Sequence, residues 1–240
     1  MARFARVVAL GTPHHVTQRG NARQFILMSD SERLVYLDLL RHYGKLHQLS
    51  LLGYCLMSNH VHLIVIPRHM DSLSKALKNA HGRYAAYWNA EHRSSGHVWQ
   101  GRFYSCPLDT PHLWEALRYT ELNPVRAGLV TAPETYIWSS AATHCGTAPG
   151  DAWLDMEFWQ QCWTAAAWRD FLAAGATAEE ADAIREEADA IRESTHTGRP
   201  LGTPEFIEKI ESTTGRSLLP QKGGRPHKTM AETQQEKLCF

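Results

Sequence analysis

The sequence predicts an α+β fold. It is a ferredoxin-like antiparallel sheet of order β-α-β-β-α-β plus one further helix, followed by a mostly helical C-terminal extension. Three observations carry this. Apolar residues before position 122 alternate between a period of two and a period of 3.6 in that order. Gly, Asn, Ser and Pro stand at the changeovers. From about Asp151 the character changes, and half of the eight tryptophans follow within eighteen residues.

Residues 14–19 (His-His-Val-Thr-Gln-Arg) read as the first strand, ended by Gly20-Asn21. Residues 31–47 read as a helix, because Leu34, Tyr36, Leu37, Leu40 and Tyr43 recur at helical spacing behind a cap at Ser29, Asp30 or Ser31. Residues 49–57 and 60–66 read as strands separated by Ser58-Asn59, the second closed by Pro67. Residues 71–90 read as a second helix, and 98–108 have strand content in Trp99, Phe103 and Tyr104. Thr110 then caps a helix over 111–122, with Pro111 at the first position, where a missing N–H costs nothing.

The extension opens with Met156, Trp159 and Trp163 at helical spacing, which predicts one helix packed back on the body. Glu-Glu-Ala-Asp-Ala-Ile-Arg at 179–185 is then repeated residue for residue at 186–192. Ala181, Ile184, Ala188 and Ile191 make a two-heptad stripe, too short for a coiled coil, so an amphipathic helix with a solvated acidic face is expected. From Ser194 the chain is polar, with one short helix over 204–214 between a Thr203 cap and a Gly215 stop. The expected divisions are therefore 1–150, 151–194 and 195–240.

The net charge of zero hides an uneven distribution: +6 over 1–150, −7 over 151–200 and +1 over 201–240. A basic body with an acidic insert is compatible with phosphate binding. Five cysteines with no Cys-x-x-Cys spacing suggest neither a disulfide framework nor a zinc knuckle. No stretch approaches the ~18 apolar residues of a spanning helix, so a cytoplasmic protein without a membrane partner is expected.

His60-Val61-His62 is the sharpest local feature. Side chains at i and i+2 of a strand share a face, so two imidazoles stand side by side, as two ligands of one metal must, while Val61, Leu63 and Val65 fill the other face. An ordinary polar strand is the alternative reading. Tyr119 lies near the end of the 111–122 helix, and Asn123 follows four residues later, able to share its face. Asn123 before Pro124, with Gly128 beyond, also reads as the cap of a new short helix.

Four stretches then resemble the REP-associated tyrosine transposases, relatives of the single-tyrosine HUH transposases of simple bacterial insertion sequences. They begin at Pro13 (Pro-His-His-Val-Thr-Gln-Arg-Gly-Asn), Gly53 (through His60-Val61-His62 to Val65), Trp99 (Trp-Gln-Gly-Arg-Phe) and Tyr119 (Tyr-Thr-Glu-Leu-Asn-Pro-Val-Arg-Ala-Gly-Leu-Val). The doubled acidic helix is not part of that pattern. The resemblance implies a strand-transferase acting on single-stranded or hairpin DNA. His60 and His62 would hold a divalent Mg²⁺ or Mn²⁺, with Asn123 as third ligand. Tyr119 would be the nucleophile that forms a 5′-phosphotyrosine. A monomer or homodimer is expected.

Beyond the metal, Arg19, Asn21 and Arg23 follow the first strand and are candidates for phosphate contact. Trp99, Arg102 and Tyr104 combine stacking rings with a cation, the pairing used in single-strand grooves. Gly198-Arg199-Pro200 and Gly224-Arg225-Pro226 resemble the core of minor-groove hooks, which makes Arg199 and Arg225 candidate DNA contacts. Two other classes compete: a non-catalytic DNA-binding regulator on the same fold, and an unrelated metallohydrolase using the His pair. The presence of Tyr119 together with the His pair argues against the first. The lack of a second acidic or histidine motif at ligand spacing argues against the second, since His14 and His15 are adjacent and point to opposite faces.

Overall fold

Four strands, β1 (His14–Arg19), β2 (Leu49–Leu56), β3 (His60–Pro67) and β4 (Tyr104–Pro107), form one sheet in the order β2-β3-β1-β4, every neighbouring pair antiparallel. They belong to a computed structural model that describes residues 6–149, 153–174 and 178–218. Helix α1 (Asp30–Leu46) joins β1 to β2, and α2 (Ser72–Glu91) precedes β4. This is the ferredoxin-like arrangement expected from the sequence. Ser29 caps α1 in a reciprocal capping box with Glu32. β4 is shorter than the strand expected over 98–108: the chain bends at Gly101 and Arg102, and Trp99 makes only an isolated bridge to Gly20.

Strand alternation splits the core in two. Val16, Leu51, Tyr54, Leu56, Val61, Leu63 and Val65 bury against Tyr36, Leu40, Leu77 and Tyr84 of α1 and α2. On the other face Leu52, Ile64, Ile66 and Cys106 meet α3 (Thr110–Glu121) and the helices of the extension. Asp109, not Thr110, caps α3: its carboxylate accepts the His112 N–H at 3.1 Å, which moves Pro111 to the second position. Gly53 lets α3 lie close, because a Cβ there would sit 2.2 Å from Leu117 Cδ1. Glu121 ties the end of α3 down. Its buried carboxylate accepts from Ser140 Oγ at 2.5 Å, His144 Nδ1 at 2.6 Å and Trp168 Nε1 at 2.8 Å. Three donors replace the water that such a burial removes.

After α3 come α4 (Asn123–Arg126), α5 (Ala141–His144), α6 (Met156–Gln160), α7 (Ala165–Ala173), α8 (Ala178–Thr197) and α9 (Pro204–Thr214). The single helix expected through Trp163 is two, because Thr164 leaves helical geometry and caps α7 through the Ala167 N–H. Of that stripe Trp159 is buried and Trp163 half-buried, and Trp168 on α7 is buried as well. The duplicated segment is amphipathic as expected: Ala188 and Ile191 are buried, Ile184 is half-buried, and Asp182, Glu186, Asp189 and Glu193 face water. The Ala181 side chain lies outside the described residues.

The division expected at 194/195 is corrected, since it falls inside α8, which packs on β4, β1 and α3. The next segment is docked as well. Gly198, at φ +75°, ends α8 with its N–H on Ser194 O, and Leu201 bridges to Leu108 beside the sheet. The Thr203 cap and Gly215 stop of α9 stand where the sequence put them. Ile210 and Leu218 pack on Val7 and Ala9. No helix among the described residues is long and apolar enough to cross a membrane.

Candidate active site

The sheet face under α3 and α8 gathers the titratable side chains. β3 places the His60 and His62 rings 5.0 Å apart on that face. In the β1–β3 register Arg19 lies opposite His60 and Thr17 opposite His62. His15 shares the face and stacks on His62 at 5.2 Å and 17°. Tyr119 of α3 closes the group, meeting His62 edge-on at 5.4 Å and His15 at 5.9 Å.

The hydrogen bonds assign the imidazole protons. His60 Nδ1–H donates to Asn59 Oδ1 at 2.6 Å. The Thr195 hydroxyl, on α8, donates to Ile191 O at 2.7 Å and therefore accepts from His15 Nδ1–H, also at 2.7 Å. His15 Nε2 then accepts from His62 Nδ1–H at 3.0 Å. On both His60 and His62 this leaves Nε2 as the nitrogen with a lone pair, with no hydrogen bond among the described residues. Such outer partners are what fix the tautomer of a metal-binding histidine. Burial, helped by the Arg19 charge, pushes His60 down to about 4. Burial first, then the neighbouring His15, His60, Arg19 and Arg192 charges, hold His62 well below the usual histidine range. Both rings are therefore neutral at neutral pH, the form that ligates.

Asn123 is not the cap of the short helix that follows α3. Leu122 precedes α4 as its cap, and Asn123 Nδ2 donates backward to Tyr119 O at 2.8 Å and Thr120 O at 3.3 Å, closing the end of α3. Its Oδ1 accepts no hydrogen bond among the described residues. Two neighbouring imidazole nitrogens are donors that a divalent cation takes alongside oxygen ligands from water or phosphate, and an amide oxygen is of the same chemical kind. Among the described residues no group of three or more His, Cys, Asp or Glu stands together to hold a metal ion, on this face or elsewhere.

Tyr119 is 7 % exposed, and two cations bracket it. Arg192 Nε donates to its Oη at 3.2 Å, and the Arg126 guanidinium lies 4.9 Å from the ring centroid. Arg19, Asn21, Arg23 and Arg102 are exposed. Ala22 and Arg23 sit at φ +48° and +62°, left-handed for non-glycine residues, at a cost of order 1 kcal/mol each. That loop is held beside the site by Asn59, whose Nδ2 donates to Arg23 O while its Oδ1 holds His60.

Trp99 is displaced from the stacking role expected of it. Its indole is buried among Tyr36, His81 and Tyr84 and donates to His81 O at 2.9 Å. Tyr104 is half-buried, its ring 4.7 Å from that of His196. Gly198-Arg199-Pro200 is the stop of α8, with Pro200 buried and Arg199 half-buried, rather than a free hook. Arg225 lies outside the described residues. Sequence reasoning missed His15, Asn59, Arg126, Arg192 and Thr195. The adjacency of His14 and His15 does send them to opposite faces, but one of those faces is the site.

Residues 11–123 match the family described as Transposase IS200 like. Among solved structures, that of a REP-associated tyrosine transposase bound to a REP hairpin aligns with TM-score 0.54 at 18% identity, covering 63% of this chain and 93% of that one. A candidate transposase of Deinococcus radiodurans r1 aligns with TM-score 0.35 at 16% identity, covering 53% of this chain and 92% of the other. No curated protein matches the chain.

Proposed function

We propose, from the match of residues 11–123 to the IS200-like transposases, that the chain is a divalent-metal-dependent nickase and strand-transferase for single-stranded, hairpin-bearing DNA. One observation carries the reading: Tyr119 stands edge-on to His62, on the face that His60 and His62 share. The REP hairpin bound in the structural neighbour makes a hairpin the first substrate to try.

Tyr119 Oη attacks the scissile phosphorus. The new O–P bond leaves a 5′-phosphotyrosine, the bond to the 3′-oxygen breaks, and that oxygen leaves as a hydroxyl carrying a proton as Tyr119 loses its own. A second 3′-hydroxyl reverses the step and needs no ATP, because the phosphodiester energy is kept in the ester. His60 Nε2, His62 Nε2 and Asn123 Oδ1 are the atoms that would hold Mg²⁺ or Mn²⁺. When bound, the ion supplies Lewis-acid polarisation and orientation of the phosphate. Arg19, Asn21, Arg23 and Arg102 offer phosphate contacts, which set register without reading sequence, and Tyr104 offers a ring for a base.

The test is covalent capture. Hairpin DNA with a single-stranded flank, labelled on either side of the cut, is incubated with the protein and Mn²⁺ and run on a denaturing gel. The label 3′ of the cut should migrate with the protein, and EDTA should abolish the band. No protein-linked label from either strand segment would contradict the proposal.

A further inference from the structure

Helix α8 lies beyond residues 11–123, yet it reaches the reacting hydroxyl. We infer that Arg192 is a positioning residue for the nucleophile, an inference that rests on the reading of Tyr119 above. Its Nε donates to Tyr119 Oη at 3.2 Å. Its Nη1 also donates to Asp189 Oδ1 at 2.5 Å, one helical turn back, which turns the guanidinium so that Nε faces the hydroxyl. The helix beneath it is anchored by the buried Ala188 and Ile191 and by Thr195 on His15.

An N–H directed at a phenol oxygen occupies one of its lone pairs and fixes the ring, leaving the other for attack. The same guanidinium then stands beside the non-bridging oxygens of an incoming phosphodiester, where charge builds in the transition state. The duplicated segment supplies an internal control. Arg185 occupies the matching place one repeat earlier and pairs with Asp182 in the same i,i+3 manner, but its side chain is 75% exposed against 47% for Arg192, and among the described residues its side-chain hydrogen bond is to Asp182. The six residues before the two arginines are identical, so their difference is one of position.

Single-turnover adduct formation at saturating hairpin DNA and Mn²⁺ is the experiment, run on the full chain with Arg192→Ala, Arg192→Lys and Arg185→Ala. Arg192→Ala should slow the adduct step roughly 10- to 100-fold, with DNA affinity and melting temperature close to those of Arg185→Ala. Arg192→Lys should recover part of the rate, because it keeps a cationic donor. Added guanidinium should restore Arg192→Ala and do nothing for Tyr119→Phe. A wild-type rate in Arg192→Ala, a faster one, or a loss that more DNA removes overturns the inference alone. Absence of an adduct from the unaltered protein overturns it together with the reading of Tyr119.

Discussion

His15 joins the two halves of the site: its ring stacks on His62, and its nitrogens span from His62 Nδ1 to the Thr195 hydroxyl. Replacing His15 by Ala leaves the His62 Nδ1–H without its acceptor and lets the ring turn or change tautomer. Mn²⁺ affinity measured by calorimetric titration should fall roughly 10- to 100-fold, the usual cost of losing an outer partner of a metal ligand. Unchanged affinity would show that His62 is oriented without it. At this scale the His60–His62 pair was legible because the strand period alone puts both on one face. His15 was not, since its place depends on the β1–β3 register, which no local pattern reveals. Trp99 shows the opposite failure: an aromatic beside an arginine in sequence turned out to point into the α1–α2 core.

Helix α8 and the segment after it show what element-level reading reaches. The heptad stripe told which face of α8 is buried, and the Thr203 and Gly215 signals bounded α9. Neither told what those faces cover. The polar composition from Ser194 onward gives no sign of docking on the body, whereas the structure sets Thr195 on His15, Leu201 on Leu108, and Ile210 and Leu218 on Val7 and Ala9. Truncation after Ser194 should therefore lower the melting temperature, since each buried aliphatic side chain lost is worth roughly 1.5–3 kcal/mol. It should also weaken Mn²⁺ binding through His15. A truncated protein that melts with the full chain would mean that the docking contributes nothing.

The whole molecule buries several uncharged histidines, and this sets its response to acid. Burial is the main cause holding His14 at about 4 and His15 and His81 at about 3. Their folded values lie below the unfolded one of ~6.5, so the unfolded chain binds protons first as pH falls. Stability is fully present above that value and is lost as pH drops toward about 4, by about 1.4 kcal/mol per unit for each such histidine. The urea midpoint should therefore fall steeply between pH about 6.5 and 4.5, and a midpoint flat across that range would contradict these burials. The ferredoxin-like frame was legible at this scale because alternation, helical period and turn residues agreed along the first 122 positions. The cover that α8 forms over Tyr119 was not, because packing between elements distant in sequence leaves no local trace. The central claim, that Tyr119 is the nucleophile served by the His60–His62 pair, is tested most directly by digesting the DNA adduct and mapping the modified peptide by mass spectrometry. A nucleotide-linked Tyr119, absent from Tyr119→Phe, is the predicted result; a modification on Tyr104, Tyr136 or any other residue would contradict it.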